Sequence, residues 1–425
     1  MSDAASPAPL AEIVSIGSEL ADGFTVDRHA AFLARELRAL GLRVTHHHTI
    51  GDDPTIGAAL FEAILGRARF VVVTGGLGPT GDDRTRDMIA AATSVELDFD
   101  EACWGEIRGW LASRSIPEVP GHREQARIPR GAHVLVNALG TAPGFVVEHE
   151  GTFLAALPGV PSEMHRMFRD ELVPWMTARM ELGAHVSTRV LRLFGIAESR
   201  VDEPLAEAMG ESADPRVGIT VSRGELSVYL TSRHPDEAER SRRLDRCAAD
   251  VRERFGEHVF GEGEASLADV VGAELVRTGT TVALAESCTG GLVAEMLTNV
   301  PGISSVFLEG AVTYSNEAKV RTLGVDPATL AEHGAVSEPV AQAMAAGIAR
   351  RAGTDIGVGI TGIAGPGGGS DEKPVGLVYI GYAVRGEVRV DRHVFRGDRA
   401  AIRRRAALEA LFQVLRALRG AGGSS

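Results

Sequence analysis

An α/β protein of more than one domain is the fold class that this sequence predicts, and three observations carry it. Apolar, β-branched runs at 70–74, 281–284 and 355–360 alternate with segments of helical periodicity, the pattern of parallel strands covered on both faces. Glycine-rich loops follow the carboxyl ends of those runs, where open α/β sheets hold their ligands. Finally, 425 residues exceed what one compact core accommodates, so two or three domains are expected.

Composition narrows the function classes. Hydrophobic content of 44% and charged content of 24% belong to an ordinary soluble globular protein. A net charge of −13 argues against nucleic acid or a membrane surface as partner, because both need a basic field. The arginines at 240–254 and 403–405 are interleaved with acids or alanines at helical spacing and read as solvated helix faces. Cys103, Cys247 and Cys288 form no C-x-x-C pair, so neither a disulfide framework nor a thiolate zinc site is indicated. No apolar run approaches the roughly 20 residues of a membrane span. Residues 1–10, rich in Ser, Ala and Pro, lack a signal-peptide pattern and read as a disordered lead-in. A cytoplasmic protein is expected.

In chain order, 12–17 reads as a strand, 27–40 as a helix closed by Gly41, 43–50 as a strand and 54–65 as a helix. The apolar strand 70–74 completes a β-α-β-α-β unit of a doubly wound sheet. At its end lies Thr74-Gly75-Gly76-Leu77-Gly78-Pro79-Thr80-Gly81-Asp82-Asp83. Gly75, Gly76 and Gly78 can present backbone amides as an anion nest, and Asp82 and Asp83 can offer hard oxygen ligands to a divalent cation. The plainer alternative is a turn whose aspartate caps the helix from 84 to 92. His46-His47-His48 invites a metal reading, but strand alternation sends neighbours to opposite faces, so a polar strand edge is expected.

Two more turn-rich segments follow, Gly140-Thr141-Ala142-Pro143-Gly144-Phe145 and Leu157-Pro158-Gly159-Val160-Pro161-Ser162-Glu163-Met164, the second opening a helix over 162–182. Gly183-Ala184 marks a boundary. A strand at 189–195, a helix from 198, a hairpin 217–222/225–232 turning at Arg223-Gly224 and a helix over 236–255 make a small α+β unit. Gly261-Glu262-Gly263-Glu264 reads as a linker.

The last part is organised around Ala285-Glu286-Ser287-Cys288-Thr289-Gly290-Gly291, which follows a buried strand and opens a helix at Leu292. A small nucleophile thus stands where a strand turns into a helix, the logic of a nucleophile elbow without its G-x-S-x-G spelling. Amides at a helix start have no intrahelical partner and suit an oxyanion or phosphate. An ordinary N-cap explains the same letters. A strand over 304–313 runs into Tyr314-Ser315-Asn316-Glu317-Ala318-Lys319, with Lys319 in the first turn of a helix ending at Gly324. A free lysine is a poor base at neutral pH, whereas a buried one near a helix start is biased towards the neutral amine that can deprotonate a serine. An exposed surface lysine is the alternative. The strand 355–360 ends in Thr361-Gly362-Ile363-Ala364-Gly365-Pro366, strands follow at 375–384 and 388–395, and Asp398 caps a last helix that begins with Arg399, a candidate phosphate ligand.

Together these segments resemble the competence/damage-inducible protein A (CinA) family along essentially the whole chain. The Thr-Gly-Gly-Leu-Gly-Pro-Thr loop with its Asp-Asp, Gly-Thr-Ala-Pro-Gly-Phe and Leu-Pro-Gly-x-Pro-Ser-Glu-Met are similar to that family's molybdopterin-binding-like domain, which implies metal-dependent ADP-ribose pyrophosphatase activity. Gly75, Gly76, Gly78, Thr80, Asp82, Asp83 and Glu163 match its site, with a divalent metal expected at Asp82 and Asp83. Arg28 and His122 stand where the family usually has Asn. The small α+β unit resembles the family's KH-like domain but lacks a Gly-x-x-Gly clamp, so a spacer or dimerisation role is expected.

The motifs around Ser287, Lys319, residues 333–339, Gly362 and Arg399 resemble the family's nicotinamide mononucleotide (NMN) deamidase domain. That resemblance implies Ser287 as nucleophile, Lys319 as general base, amides near Thr289 and Gly290 as oxyanion donors, and Tyr314, Asn316, Thr361, Gly362 and Arg399 around the substrate, with no cofactor for this step. The expected division is 1–10 lead-in, 11–183, 184–260, 261–420 and a tail at 421–425. Small nucleotides are the expected partners, with no nucleic acid, no membrane and, on family precedent, a homodimer.

Overall fold

The computed structural model describes residues 8–180, 182, 186–210, 212–222 and 224–421. Its contacts divide the chain into two compact units, residues 1–187 with 233–240, and residues 188–232 with 241–425. The boundary expected at Gly183-Ala184, residue 223 of the hairpin turn and residues 422–425 lie outside the described residues, as do residues 1–7 of the lead-in. Leu10, placed in that lead-in, already opens the first strand.

The first unit runs β1 (Leu10–Ile16), α1 (Ser18–Ala21), α2 (His29–Ala39), β2 (Arg43–Ile50), α3 (Pro54–Ile64), β3 (Phe70–Thr74), α4 (Thr85–Thr93), β4 (Leu97–Phe99), α5 (Glu101–Ser113), α6 (Pro120–Glu124), β5 (Arg127–Pro129), β6 (His133–Leu135), β7 (Gly144–His149), β8 (Thr152–Leu157), α7 (Pro161–Met167) and α8 (Val173–Arg179). Six strands form one sheet in the order β2-β1-β3-β8-β7-β6. The first four are parallel, and β7 and β6 are antiparallel additions. Alternation along β1 sends Ala11 and Ile13 into one core and Val14 and Ile16 into the other, so the sheet is covered on both faces. All five residues of β3 are buried, as its unbroken apolar run requires.

The expected helix over 162–182 is instead two helical segments joined by a π-helical turn at Phe168–Leu172. Pro174 supplies the reason, since it lacks an amide and its ring crowds the carbonyl of Asp170 one turn back. In β2, an edge strand, His48 Nε2 lies 2.7 Å and His46 Nδ1 3.4 Å from the buried Glu12, which Arg67 also holds with two 2.8 Å bonds. His47 is not part of this cluster, as alternation demands.

The second unit begins with most of β9 (Val186–Leu193), then α9 (Glu198–Leu205), β10 (Arg216–Ser222), nearly all of β11 (Glu225–Arg233), most of α10 (Glu237–Phe255) and β12 (Val259–Glu262), with sheet order β10-β11-β9-β12. Gly261 and Glu262, the first half of the segment read as a linker, are therefore part of a strand, and Gly263 and Glu264 form the turn after it. Val259 pairs with Leu193 and Gly261 with Arg192, and Arg189 holds Glu262 at 3.0 Å, so pairing overrides a composition that looks like a loop.

The chain continues with α11 (Leu267–Thr278), β13 (Val282–Glu286), α12 (Leu292–Thr298), β14 (Phe307–Val312), α13 (Asn316–Leu323), α14 (Pro327–His333), α15 (Glu338–Ala352), β15 (Ile356–Gly362), β16 (Leu377–Val384), β17 (Glu387–Val394) and α16 (Arg399–Ala421). The sheet order is β14-β13-β15-β16-β17, with β14, β13 and β15 parallel. Thus β13 lies between two parallel neighbours, and the turn after it opens at the carboxyl edge. Ser266 and Asp269 form a capping box on α11, and Asp398 Oδ1 accepts the Ala401 amide at 2.8 Å on α16. No helix among the described residues is long and apolar enough to cross a membrane.

Candidate active site

All five residues of β13 are buried, which fixes where the chain must turn at Ser287. Gly290 and Gly291 take positive φ values of 62° and 92°, a conformation that side chains resist, and so let the strand fold sharply into α12. Sequence reasoning overlooked what caps this helix. Glu286, 1% exposed, accepts the amides of Gly291 at 2.9 Å, Val293 at 3.3 Å and Ala294 at 2.9 Å. The expectation that helix-start amides await an oxyanion is corrected: the protein's own carboxylate occupies them. Nor does Ser287 act as N-cap, for Gly291 holds that position without a side-chain bond. The Gly290 amide donates to the Ser287 carbonyl at 3.0 Å, closing the turn, and is likewise engaged. Among the described residues, the Cys288 and Thr289 amides donate to no backbone acceptor.

Lys319 is 1% exposed, so the surface-lysine alternative fails. Ser315 Oγ caps α13 at the Ala318 amide, 3.1 Å, and the first turn swings Lys319 inward. Its Nζ lies 3.2 Å from Ser287 Oγ and 2.9 Å from the Thr313 carbonyl. Burial pushes the Lys319 ammonium below its ordinary pKa, and no acid forms an ion pair with it among the described residues. Nζ is within hydrogen-bond reach of both oxygens, and once deprotonated it can donate to the Thr313 carbonyl while its lone pair accepts from the serine hydroxyl. The neighbouring Cys288 is buried in the apolar core, and burial pushes its thiol up to about 12, leaving it almost wholly unionised at neutral pH.

Around this pair, Arg399 donates to the Gly365 carbonyl at 2.7 Å and to Tyr314 Oη at 2.9 Å, bringing three expected segments together. Thr361 is buried and its hydroxyl donates to the Ala335 carbonyl at 2.7 Å, bracing the loop at 333–339. A Cβ on Gly362 would meet the Leu377 carbonyl at 2.7 Å, so strand contact demands that glycine. Asn316 is exposed at the start of α13. Arg403, read as part of a solvated face, reaches the Thr289 carbonyl at 2.6 Å. Its spacing of four from Arg399, one face of a helix, was the available signal.

In the first unit a cavity of about 410 Å³ brings together Gly75, Gly76, Gly78, Asp82, Asp83 and Glu163 at the carboxyl ends of β1, β3 and β8. Thr80 joins through Asp83, which accepts its amide at 2.9 Å and its hydroxyl. Asp83 therefore fastens the loop, and Arg84, not an aspartate, is the N-cap of α4, with no side-chain cap bond. A Cβ on Gly75, at φ 100°, would meet the Ile16 carbonyl, so only glycine lets the two strand ends approach. The buried Arg86, with its pKa lowered by burial to about 10, holds the Leu77 carbonyl at 2.6 Å. Glu163 accepts Asn137 Nδ2 at 2.7 Å. His122 is buried and takes the Val119 amide, a local structural task. Among the described residues no three His, Cys, Asp or Glu side chains are grouped to hold a metal ion. Asp82 and Asp83 both line this cavity and offer the carboxylate oxygens that hard cations take, but Asp83 already accepts from Thr80.

Three family models match in succession: "Probable molybdopterin binding domain" over 12–178, "Damage-inducible protein CinA KH domain" over 188–261 and "CinA C-terminal domain" over 264–418. A protein of Moorella thermoacetica bearing a competence-damage inducible name is 43% identical over 96% of this chain and 99% of its own. The chain belongs to the CinA family. A CinA-like protein of Kosmotoga olearia is 42% identical over 96% of this chain and 98% of its own. Among solved structures, a competence/damage inducible protein of Agrobacterium tumefaciens is 44% identical, with a TM-score of 0.35, over 36% of this chain and 93% of that one. The expected fold class stands, with a molybdopterin-binding-like domain, a KH-like domain and a C-terminal α/β domain in that order.

Proposed function

We propose that the C-terminal part of this CinA-family chain is an amidohydrolase that converts NMN to nicotinate mononucleotide and ammonia. The 3.2 Å approach to Ser287 Oγ of a buried Lys319 amine that has no acidic partner among the described residues carries this reading. Neutral Lys319 takes the hydroxyl proton as Ser287 Oγ attacks the amide carbon, giving a tetrahedral oxyanion. The Cys288 and Thr289 amides, which have no backbone acceptor but lie against the Cys288 sulfur, are the donors we assign to it. Lys319 then returns the proton to the departing nitrogen and ammonia leaves. A water molecule, deprotonated by the same amine, hydrolyses the acyl-enzyme and restores Ser287. Arg399 and Tyr314 receive the substrate phosphate. An assay of NMN deamidation on the full chain, wild type against Ser287→Ala, tests the assignment; unchanged turnover in the variant would overturn it.

For the N-terminal part, the reading is a divalent-metal-dependent ADP-ribose pyrophosphatase using the cavity of Gly75, Gly76, Gly78, Thr80, Asp82, Asp83 and Glu163. A cation held by Asp82 and Asp83 would neutralise charge on the pyrophosphate. The glycine loop would cradle its oxygens, and Arg86 and Asp83 would keep that loop in place. A non-catalytic nucleotide- or pterin-binding scaffold is the second reading, favoured by the lack of a third acid grouped with Asp82 and Asp83 among the described residues. Release of AMP from ADP-ribose by the full-length Ser287→Ala protein with Mg²⁺ or Mn²⁺ separates the two. We further read the protein as a cytoplasmic homodimer that acts on small nucleotides and binds neither nucleic acid nor membrane.

A further inference from the structure

The turn that carries Ser287 has few polar anchors of its own. Cys288 packs in the apolar core, and the buried Thr289 hydroxyl has no hydrogen-bond partner among the described residues. Gly290 and Gly291 follow at positive φ, where a backbone without side chains moves readily between conformations. Only the two ends of the turn are tied down by the core. The Ser287 amide donates to the Ile360 carbonyl at 3.0 Å, and Glu286 accepts the amides of Gly291, Val293 and Ala294.

Between those ends, one side chain from another element grips the main chain. Arg403 donates to the Thr289 carbonyl from Nη2 at 2.6 Å and from Nε at 3.3 Å, so its fork converges on a single oxygen. The Leu292 amide reaches the same oxygen at 3.3 Å. Arg403 Nη2 also stands 3.3 Å from where a Cβ would sit on Gly290, which puts the guanidinium directly against the glycines. Arg403 has no acidic partner among the described residues, so no carboxylate competes for the fork. Its helix is firmly seated, with Ile402, Ala406 and Ala407 in the core. Arg399, four residues earlier on the same helix face, holds Gly365 and Tyr314 instead.

We propose that Arg403 is a positioning residue for the Ser287 site: it fixes the Thr289–Gly290 peptide and so keeps the Cys288 and Thr289 amides aimed at the oxyanion. This role rests on reading Ser287 as the nucleophile of an amidohydrolase. Without the fork the glycines are free to rotate, and a displacement of about 1 Å is enough to forfeit most of a donor's worth to a developing charge. Ground-state binding should change little, because the substrate phosphate is assigned to Arg399 and Tyr314.

Two measurements on the full-length protein test this: steady-state NMN deamidation, and the rate at which a fluorophosphonate labels Ser287. Arg403→Met should lower kcat about 10–100-fold with KM held within about threefold, and should slow labelling by a similar factor. Arg403→Lys, which can still make one bond to the Thr289 carbonyl, should fall between the two. Unchanged kcat and labelling in Arg403→Met would overturn the proposal. So would a raised KM at intact kcat, which would make Arg403 a substrate ligand. If melting curves show that Arg403→Met does not fold, Arg403→Lys decides: a lower kcat at constant KM supports the role and an undiminished kcat refutes it. Wild-type protein that labels at Ser287 without turning over NMN would sink the amidohydrolase reading alone, and the labelling rates would then judge Arg403. Wild-type protein that does neither would overturn both.

Discussion

Replacing Lys319 by Met probes the amine at the centre of the proposed reaction. Methionine keeps the unbranched stem that fills a site only 1% exposed, so the fold should survive. The change removes the bond to the Thr313 carbonyl, a loss of about 1 kcal/mol, and relieves the cost of burying an unpaired cation. No other base approaches Ser287 among the hydrogen bonds of the described residues, so the general-base contribution should vanish at the upper end of its range. We expect NMN deamidation to fall about 10³–10⁴-fold, equivalent to about 4–5.5 kcal/mol of transition-state stabilisation.

The pH dependence supplies a second readout. Burial lowers the folded-state pKa of Lys319 below the ordinary 10.5, so the folded protein binds this proton more weakly than the unfolded chain. Wild-type stability from this group therefore rises with pH from the folded pKa to 10.5, and the Met variant should gain most, relative to wild type, at low pH. Wild-type kcat/KM should rise with pH on an apparent pKa below 10.5, and the residual activity of the variant should lose that limb. Stopped assays of nicotinate mononucleotide across pH, paired with melting curves, measure both. Turnover within tenfold of wild type, or an unchanged pH limb, would refute the role of the amine.

Ser287→Ala should abolish deamidation while Cys288→Ala keeps most of it, since a thiol at about 12 contributes almost no thiolate at neutral pH; the reverse pattern in the same assay would reassign the nucleophile. Glu286→Gln should lower stability by about 1–3 kcal/mol, because an amide accepts the Gly291, Val293 and Ala294 amides less strongly than a carboxylate, and chemical denaturation reads this directly. Arg399→Met should raise KM for NMN more than it lowers kcat, and should barely affect hydrolysis of the phosphate-free riboside; equal losses on both substrates would remove the phosphate contact. Asp83→Asn should lower the melting temperature of the first unit and any AMP release from ADP-ribose together, since this carboxylate fastens the loop through Thr80.

Much of the site was legible because its chemistry is local in sequence. The glycines after β3 and β13, the Ser287 turn, the Asp398 cap and Lys319 one turn into α13 follow from short-range rules of strand ends and helix starts. Glu286 was not legible, and Arg403 only through its spacing of four from Arg399. One reads as the last residue of a strand and the other as one arginine in a run, and only their partners across the fold reveal what they hold. The Gly-Glu segment of β12 was misread for a related reason, since an edge strand is defined by its neighbour as much as by its own residues.

The sequence alone determined the alternation of strands and helices, the placement of glycine loops at strand ends and the candidate nucleophile, because backbone sterics and hydrophobic periodicity act within a few residues. Only the tertiary structure decided that the Lys319 amine, 32 positions from Ser287, arrives within 3.2 Å of its oxygen and leaves water behind. A lysine on an isolated helix keeps its proton, and desolvation by the packed sheet is what tilts this one towards the base.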